Sequence, residues 1–269
     1  MRWMWLTLAL AVVVAGSVVA EGKKTAEKKK LLVITESKGF VHGCVNRNGK
    51  PLCVVEKALI DIGEKSGAFE ATCTQDSRTA ITAENLAKYD AVFFYTTGEL
   101  PLSDTQKADF LQFIRSGKGF AGSHCASDTF YKWPEYGALI GGYFDGHPWH
   151  EKITAIIEDK KHPATKHLGD SFTVTDEIYQ FRTPYDRSKL RVLMRLDMDS
   201  VKNQGKRTDK DNALAWVREY GKGRVFYTAL GHRDELWTTN EQFRQHMLGG
   251  LKYVLKLEDG DATPSATAK

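Results

Sequence analysis

The chain has 269 residues, of which 42% are hydrophobic and 27% charged, a composition typical of folded globular proteins. Its net charge is only +4, and the densest group of lysines lies within residues 23–30. A nucleic-acid-binding face needs a basic stripe with interleaved aromatic residues, and this sequence has none. We therefore expect no nucleic-acid partner, and we interpret the lysine-rich residues 21–30 as a solvated basic linker.

The first 20 residues predict a secretory signal peptide. Arg2 precedes an apolar run from Trp5 to Ala15, and Val18-Val19-Ala20 offers small residues at a cleavage site. An uncleaved membrane anchor is the alternative, but the run is shorter than the roughly 20 residues that a spanning helix needs. We expect a periplasmic or extracellular protein without stable membrane insertion after cleavage.

The elements that follow alternate between strands and helices. In chain order, the predictions are a strand at 31–35, a helix at 54–65, strands at 69–73 and 91–95, a helix at 104–115 and a central strand from 119. Further strands are predicted at 153–157, 172–175, 190–196, 214–220 and 224–229, before a helix at 241–255. The turn Tyr220-Gly221-Lys222-Gly223 predicts a hairpin between the last two strands. This order is typical of one α/β domain, over residues 31–257, with helices on both faces of a sheet. Residues 258–269 have the composition of a disordered tail.

Four of the eight histidines lie in glycine-rich turns, two of them directly after predicted strands. They are His42, His124, His147 and His232. Loops at the carboxyl ends of strands share one edge of such a sheet, so these imidazoles are predicted to form one polar site. Imidazole is the commonest metal ligand, and three histidines plus water form an open zinc site. The site is thus predicted to hold zinc or another divalent ion. The alternative is that each histidine caps its own turn.

The other histidines and the carboxylates are less informative. His162 and His167 fall in a lysine-rich loop and are expected at the surface, and the position of His150 defines no common face with His147. Among the nearby carboxylates, Glu177 and Asp128 are the candidates for proton transfer in catalysis, with capping or surface roles as the alternative.

Cysteine chemistry has two interpretations in this sequence. Cys125 is either a nucleophile with His124 or His232 as its base, or a small buried apolar residue. Cys44 and Cys53 bracket a polar loop, and in an oxidising compartment they are candidates for a local disulfide. No GxSxG, GxGxxG or GxxxxGK[ST] motif is present, so a serine hydrolase or a nucleotide cofactor is not expected.

Aromatic residues cluster around the loops that would form the site. Core packing explains some of them, and stacking on a sugar ring is the functional alternative. The predicted substrate-binding residues are Glu99, Trp133, Tyr136, Tyr143 and Trp149.

Several of these motifs occur together, in order, in one known family. They are Lys38-Gly39-Phe40-Val41-His42, Tyr95-Thr96-Thr97-Gly98-Glu99, Gly119 to Asp128, Trp133-Pro134-Glu135-Tyr136, Gly141 to Pro148, Asp176-Glu177-Ile178-Tyr179 and Tyr227 to His232. With them the chain resembles the trehalose-utilisation (ThuA-like) family of the class I glutamine amidotransferase-like superfamily. The resemblance implies a flavodoxin-like three-layer sandwich with a mostly parallel sheet, and a role in disaccharide or 3-keto-glycoside metabolism. His124 stands where the amidotransferases place their cysteine nucleophile, so glutaminase chemistry is not expected.

The sequence thus favours a secreted protein that acts on a small carbohydrate, as a metal-assisted hydrolase, lyase or isomerase. Two alternatives stay open: a non-catalytic carbohydrate-binding module, and a cysteine-dependent hydrolase that uses Cys125.

Overall fold

The computed structural model describes residues 1, 3 and 28–265, so the predicted signal peptide, apart from residues 1 and 3, lies outside the described residues. The strands are β1 (Lys29–Ile34), β2 (Phe69–Thr74), β3 (Ala91–Phe94), β4 (Gly119–Ser123), β5 (Tyr143–Phe144), β6 (Trp149–Ile157), β7 (Ser171–Ile178), β8 (Phe181–Arg182), β9 (Arg191–Leu196), β10 (Ala213–Tyr220) and β11 (Gly223–Thr228). The helices are α1 (Val54–Ser66), α2 (Ser77–Ala80), α3 (Ala83–Leu86), α4 (Asp104–Arg115), α5 (Pro134–Ile140), α6 (Asp234–Thr238) and α7 (Glu241–Val254). Within these residues, none of the helices is long and apolar enough to cross a membrane.

Strand β1 illustrates how the sheet is covered on both faces. Leu31 and Val33 pack into one hydrophobic cluster, which includes α1, α6 and α7, while Leu32 and Ile34 pack into a second cluster with α4 and α5. All four side chains are buried. A strand that is covered on both faces has no solvent-exposed side and therefore needs no polar residues. This explains the continuous apolar runs that predicted β1 and β3.

The large sheet has the strand order β2-β1-β3-β4-β11-β10-β9-β6-β7. Its first five strands pair in parallel, and the remaining four extend it through antiparallel pairings, with β10 and β6 running against all the others. The predicted flavodoxin-like α/β architecture is confirmed, as is the hairpin, in which Tyr220 pairs with Gly223. Because β1, β4 and β11 are parallel, the loops that follow them emerge at one edge.

Residues 258–265 do not behave as the composition predicted. Instead of a free tail, they follow the surface beside β9, where Ser265 N donates to Leu190 O at 2.8 Å. Arg224 and Arg191 form ion pairs with Asp259 and Asp261. The polar residues whose composition suggested disorder, such as Asp259 and Asp261, form these ion pairs with basic residues of the sheet.

Candidate metal centre

His124 occupies the turn directly after the central strand β4. Its backbone φ of 47° lies in the left-handed region, which costs a non-glycine residue about 1–3 kcal/mol unless its surroundings hold it there. The hydroxyl of Tyr227 donates to the His124 carbonyl at 2.7 Å, and the imidazole Nδ1 donates to the carbonyl of Ala229 at 2.9 Å. This hydrogen bond puts a proton on Nδ1, so the neutral tautomer of the ring would direct the Nε2 lone pair to a metal, as metal-ligating histidines do.

His42 and His232 lie in the loops after β1 and β11. The ring centroid of His42 is 4.9 Å from that of His124 and 5.3 Å from that of His232. The loop that carries His232 is held by the buried carboxylate of Asp176, which accepts hydrogen bonds from the backbone N–H groups of Gly231, His232 and Arg233 at 2.7, 3.3 and 3.1 Å. The predicted convergence of His42, His124 and His232 at one edge of the sheet is confirmed.

Glu177, at the end of β7, completes this group. Its Oε1 lies 3.4 Å from Nε2 of His124 and 3.4 Å from Nδ1 of His232, while those two nitrogens are 3.2 Å apart. One ligand atom from each residue lies within 4.8 Å of every other. We call this group the histidine–glutamate cluster, formed by His42, His124, Glu177 and His232.

The spacing in the histidine–glutamate cluster leaves room for one metal ion. Four ligands at the usual Zn–N distance of about 2.0–2.1 Å around a tetrahedral ion lie about 3.4 Å from one another. The two 3.4 Å separations from Oε1 of Glu177 match that value, the His124 and His232 nitrogens are 3.2 Å apart, and all four ligand atoms lie within 4.8 Å of one another. This group could therefore hold a metal ion.

The electrostatics of the cluster favour the ligand forms of His42 and Glu177. Burial, reinforced by the neighbouring His124 and His232, lowers the pKa of His42 to about 3, so its imidazole is neutral at pH 7. Partial burial alone would raise the pKa of Glu177, but the imidazoles of His124 and His232 hold that pKa well below its usual range. The adjacent Glu177 carboxylate raises the pKa of His232. Nδ1 of His42 is buried and has no hydrogen-bond partner among the described residues.

His147 lies outside the histidine–glutamate cluster, in which Glu177 is the fourth residue. Its Nδ1 lies 3.5 Å from Oε2 of Glu177, on the outer side of that carboxylate. His150 lies beside it, with Nδ1 3.7 Å from the same oxygen. The sequence pattern did not predict that His147 and His150 both lie beside Glu177. That arrangement depends on the pairing of β7, which carries Glu177, with β6, and this pairing exists only in the tertiary structure.

The aromatic residues predicted to bind substrate are core residues. Tyr136 and Trp149 are 0% exposed, and Trp133 and Tyr143 are 7% exposed. The hydroxyls of Tyr136 and Tyr143 and the indole N–H of Trp149 donate to backbone carbonyls; for example, the Tyr136 hydroxyl donates to Ala126 O at 2.7 Å. Their ring faces are therefore unavailable to a sugar, and the predicted stacking platform is not formed by them.

Three residues next to the cluster were not predicted to act there. The ring of Tyr179 lies 4.0 Å from that of His124, and its hydroxyl is 3.5 Å from Nε2 of His42. Phe144 packs on Tyr179 at 4.3 Å, and Phe40, 66% exposed, meets the edge of His42 at 4.9 Å. The sequence signal was their presence in the same motifs as His42, His147 and Glu177.

The remaining predicted carboxylates lie outside the cluster. Asp128 accepts a hydrogen bond from the Tyr131 hydroxyl, and burial raises its pKa. Glu99 is exposed and accepts from the backbone N–H of Lys132 at 3.0 Å, which is a capping role. His162, expected at the surface, is buried instead.

The thiols do not support cysteine chemistry. Cys125 is 0% exposed, and burial raises the pKa of its thiol well above the usual value, so it is not a thiolate at neutral pH. Cys44 and Cys53 are both free, so the suggested disulfide is absent between these described residues. Cys44 Sγ donates instead to the Tyr95 hydroxyl at 3.1 Å.

Comparison with known proteins identifies one family. The family described as "ThuA: Trehalose utilisation" matches residues 30–254. A crystal structure described as a ThuA-like protein from Bacteroides uniformis aligns with a TM-score of 0.68 at 21% identity, covering 87% of this chain and 94% of that one. A second, from Parabacteroides merdae, gives 0.65 at 20% identity, with 86% and 91% covered. At these identities the two structures show a shared fold. No curated protein matches the chain.

Proposed function

Because the chain belongs to the ThuA family, which is described by trehalose utilisation, we propose that it is a metal-dependent enzyme of sugar metabolism. The proposed reaction is hydrolysis, elimination or isomerisation of a disaccharide or of its 3-keto derivative. The single observation that carries the proposal is the histidine–glutamate cluster, in which three imidazoles and a carboxylate from four separate loops and strands converge. A purely structural polar cluster would not need a buried neutral imidazole such as that of His42 beside two further histidines and a carboxylate.

The residues present fit a zinc-type ion. Three imidazole nitrogens and one carboxylate in a mostly buried group form a donor set that Zn²⁺ and similar ions prefer. The ion would be held by His42, His124, His232 and Glu177. Nδ1 of His42, which has no hydrogen-bond partner among the described residues, would become a ligand if that ring turned toward the ion. When bound, such an ion polarises a carbonyl oxygen or lowers the pKa of a water molecule.

The chain supplies positioning and proton transfer around that site. Asp176 and Ala229 fix the loop and the tautomer of the ligating histidines through hydrogen bonds to backbone and ring N–H groups. Burial raises the pKa of Tyr179, so its hydroxyl stays protonated and can donate to a substrate oxygen. Glu177 is proposed as a ligand, which leaves Asp128, with its raised pKa, as the carboxyl group for general acid catalysis.

Substrate recognition is proposed to use the aromatic groups at the opening. Phe40 is largely exposed beside His42, and flat sugar CH faces pack well on such rings. The apolar run and small residues at the N-terminus support export to the periplasm or the exterior, where a small carbohydrate would be the partner.

The test is the metal content of the purified protein and its dependence on His124. We expect bound metal in the wild type, loss of at least ten-fold in affinity in His124→Ala, and no change in His167→Ala, which removes a histidine outside the cluster that contacts Gln242 O. Turnover of trehalose or 3-keto-trehalose should stop on chelation and return when the metal is restored. Metal-free protein with full turnover would refute the proposal.

The two alternative functions lose their structural support. A cysteine hydrolase needs an accessible thiolate, and Cys125 is buried and protonated. The binding module was argued from Trp133 and Trp149, both of which are packed in the core.

A further inference from the structure

The two oxygens of the Glu177 carboxylate face different pairs of histidines. Oε1 lies against His124 and His232 of the inner cluster, and Oε2 lies against His147 and His150 on the outer side. We propose that Glu177 bridges two divalent metal ions, the outer one bound by Oε2, His147 and His150. This inference rests on the proposed function, since the inner ion is the one described there.

The distances support coordination over hydrogen bonding on the outer side as well. Nδ1 of His147 and Nδ1 of His150 lie 3.5 and 3.7 Å from Oε2. Both separations are longer than a good N–H···O hydrogen bond and close to the ligand–ligand distance of about 3.4 Å expected around an ion such as zinc. Both imidazoles approach the same carboxylate oxygen without a close hydrogen bond to it, and the proposed outer ion accounts for that spacing.

The outer pair is held in place by the sheet. His150 stands directly opposite Glu177 in the antiparallel pairing of β6 with β7, so the two side chains are cross-strand neighbours. The ring of His147 stacks on Phe144 at a centroid distance of 5.9 Å. Strand β6 and the segment that leads into it thus place both imidazoles beside Oε2 of Glu177.

Exposure distinguishes the two sides of the carboxylate. The side chains of His147 and His150 are 54% and 47% exposed, whereas that of His124 is fully buried. An outer ion would have three protein ligands and positions open to water or substrate, which is typical of catalytic sites. Paired ions bind adjacent oxygens well, so the chemical class of ligand is a vicinal diol or an α-hydroxy ketone, both of which sugars contain.

The experiment measures Mn²⁺ and Zn²⁺ stoichiometry by equilibrium dialysis of the full chain. We expect two equivalents in the wild type, one in the double variant His147→Ala/His150→Ala, and two in the control His167→Ala. Both substituted side chains are half exposed, so the fold should tolerate their loss, and unfolding curves check this. With Mn²⁺, the electron paramagnetic resonance spectrum of the wild type should show two coupled ions, and Glu177→Gln should abolish the coupling.

The other outcomes separate the two proposals. One equivalent in the wild type, unchanged in the double variant, would refute the outer site and leave the proposed function intact. Two equivalents that persist in the double variant, or two ions without coupling, would refute the bridging role of Glu177. A wild type that binds neither ion would refute both proposals.

Discussion

Asp176→Asn is the substitution that best tests how the histidine–glutamate cluster is held together. The Asp176 carboxylate is 0% exposed and accepts hydrogen bonds from three consecutive backbone N–H groups, those of Gly231, His232 and Arg233. Two of them reach Oδ2 and one reaches Oδ1. An asparagine has a single acceptor oxygen, and its NH₂ group must face at least one of these donors.

The least damaging orientation keeps the two bonds to one oxygen and loses the bond from Arg233. A hydrogen bond to a charged group contributes about 1.5–3 kcal/mol, so the free energy of unfolding should fall by about 2 kcal/mol. Because the same loop carries His232, metal affinity should also fall by about 10–100-fold, as is usual when a group that orients a ligand is changed.

Urea unfolding and metal titration measure these two effects. The matched control is Asp186→Asn, in which an exposed carboxylate accepts from the backbone N–H of Ser188 at 3.0 Å. The control should change stability by less than about 0.5 kcal/mol and leave metal affinity unchanged. Equal behaviour of the two variants would show that Asp176 does not hold the His232 loop.

Three further predictions concern substrate, pH and thiols. Phe40→Ala should weaken trehalose binding about five-fold, because about 1 kcal/mol of stacking is lost. The control Leu257→Ala, which removes an exposed apolar side chain beyond the last helix, should leave the affinity unchanged. If calorimetry gives Phe40→Ala the same trehalose affinity as the wild type, Phe40 is not part of the sugar site. Burial lowers the pKa of His246 to about 3, below its unfolded value of 6.5, so only the unfolded state takes up the proton between these values and stability falls as pH drops below about 6. His246→Gln should lose up to about 1.4 kcal/mol per pH unit of that slope in urea unfolding between pH 6 and 4, and an unchanged slope would contradict the neutral buried imidazole. In mass-spectrometric mapping of the native protein, the partly exposed Cys73 should be alkylated before Cys125, which should react only after unfolding. Rapid alkylation of Cys125 in the native protein would instead support the cysteine mechanism.

The central part of the fold could be read from local patterns. The apolar runs of β1 and β3 and the capping residue Ser103 of α4 predicted these elements close to their observed bounds. The hairpin of β10 and β11 was marked by its glycines. Local periodicity and turn chemistry depend on neighbours within a few residues, so a sequence reports them directly.

The convergence of His42, His124 and His232 was also accessible before any coordinates. Each follows a strand of the parallel part of the sheet, and parallel strands end at a common edge. The topology rule therefore brings together residues as far apart in the chain as His42 and His232, without any knowledge of side-chain contacts.

The sequence by itself thus determined the α/β class, the family and three members of the histidine–glutamate cluster. Only the tertiary structure decided that Glu177, and not His147, completes the histidine–glutamate cluster, because β7 reaches that edge through the antiparallel extension of the sheet. It also decided that Trp133 and Trp149 are core residues, since composition cannot tell a buried aromatic ring from one that faces a substrate. Pairing between distant strands, and the burial that follows from it, depends on contacts that no local pattern encodes.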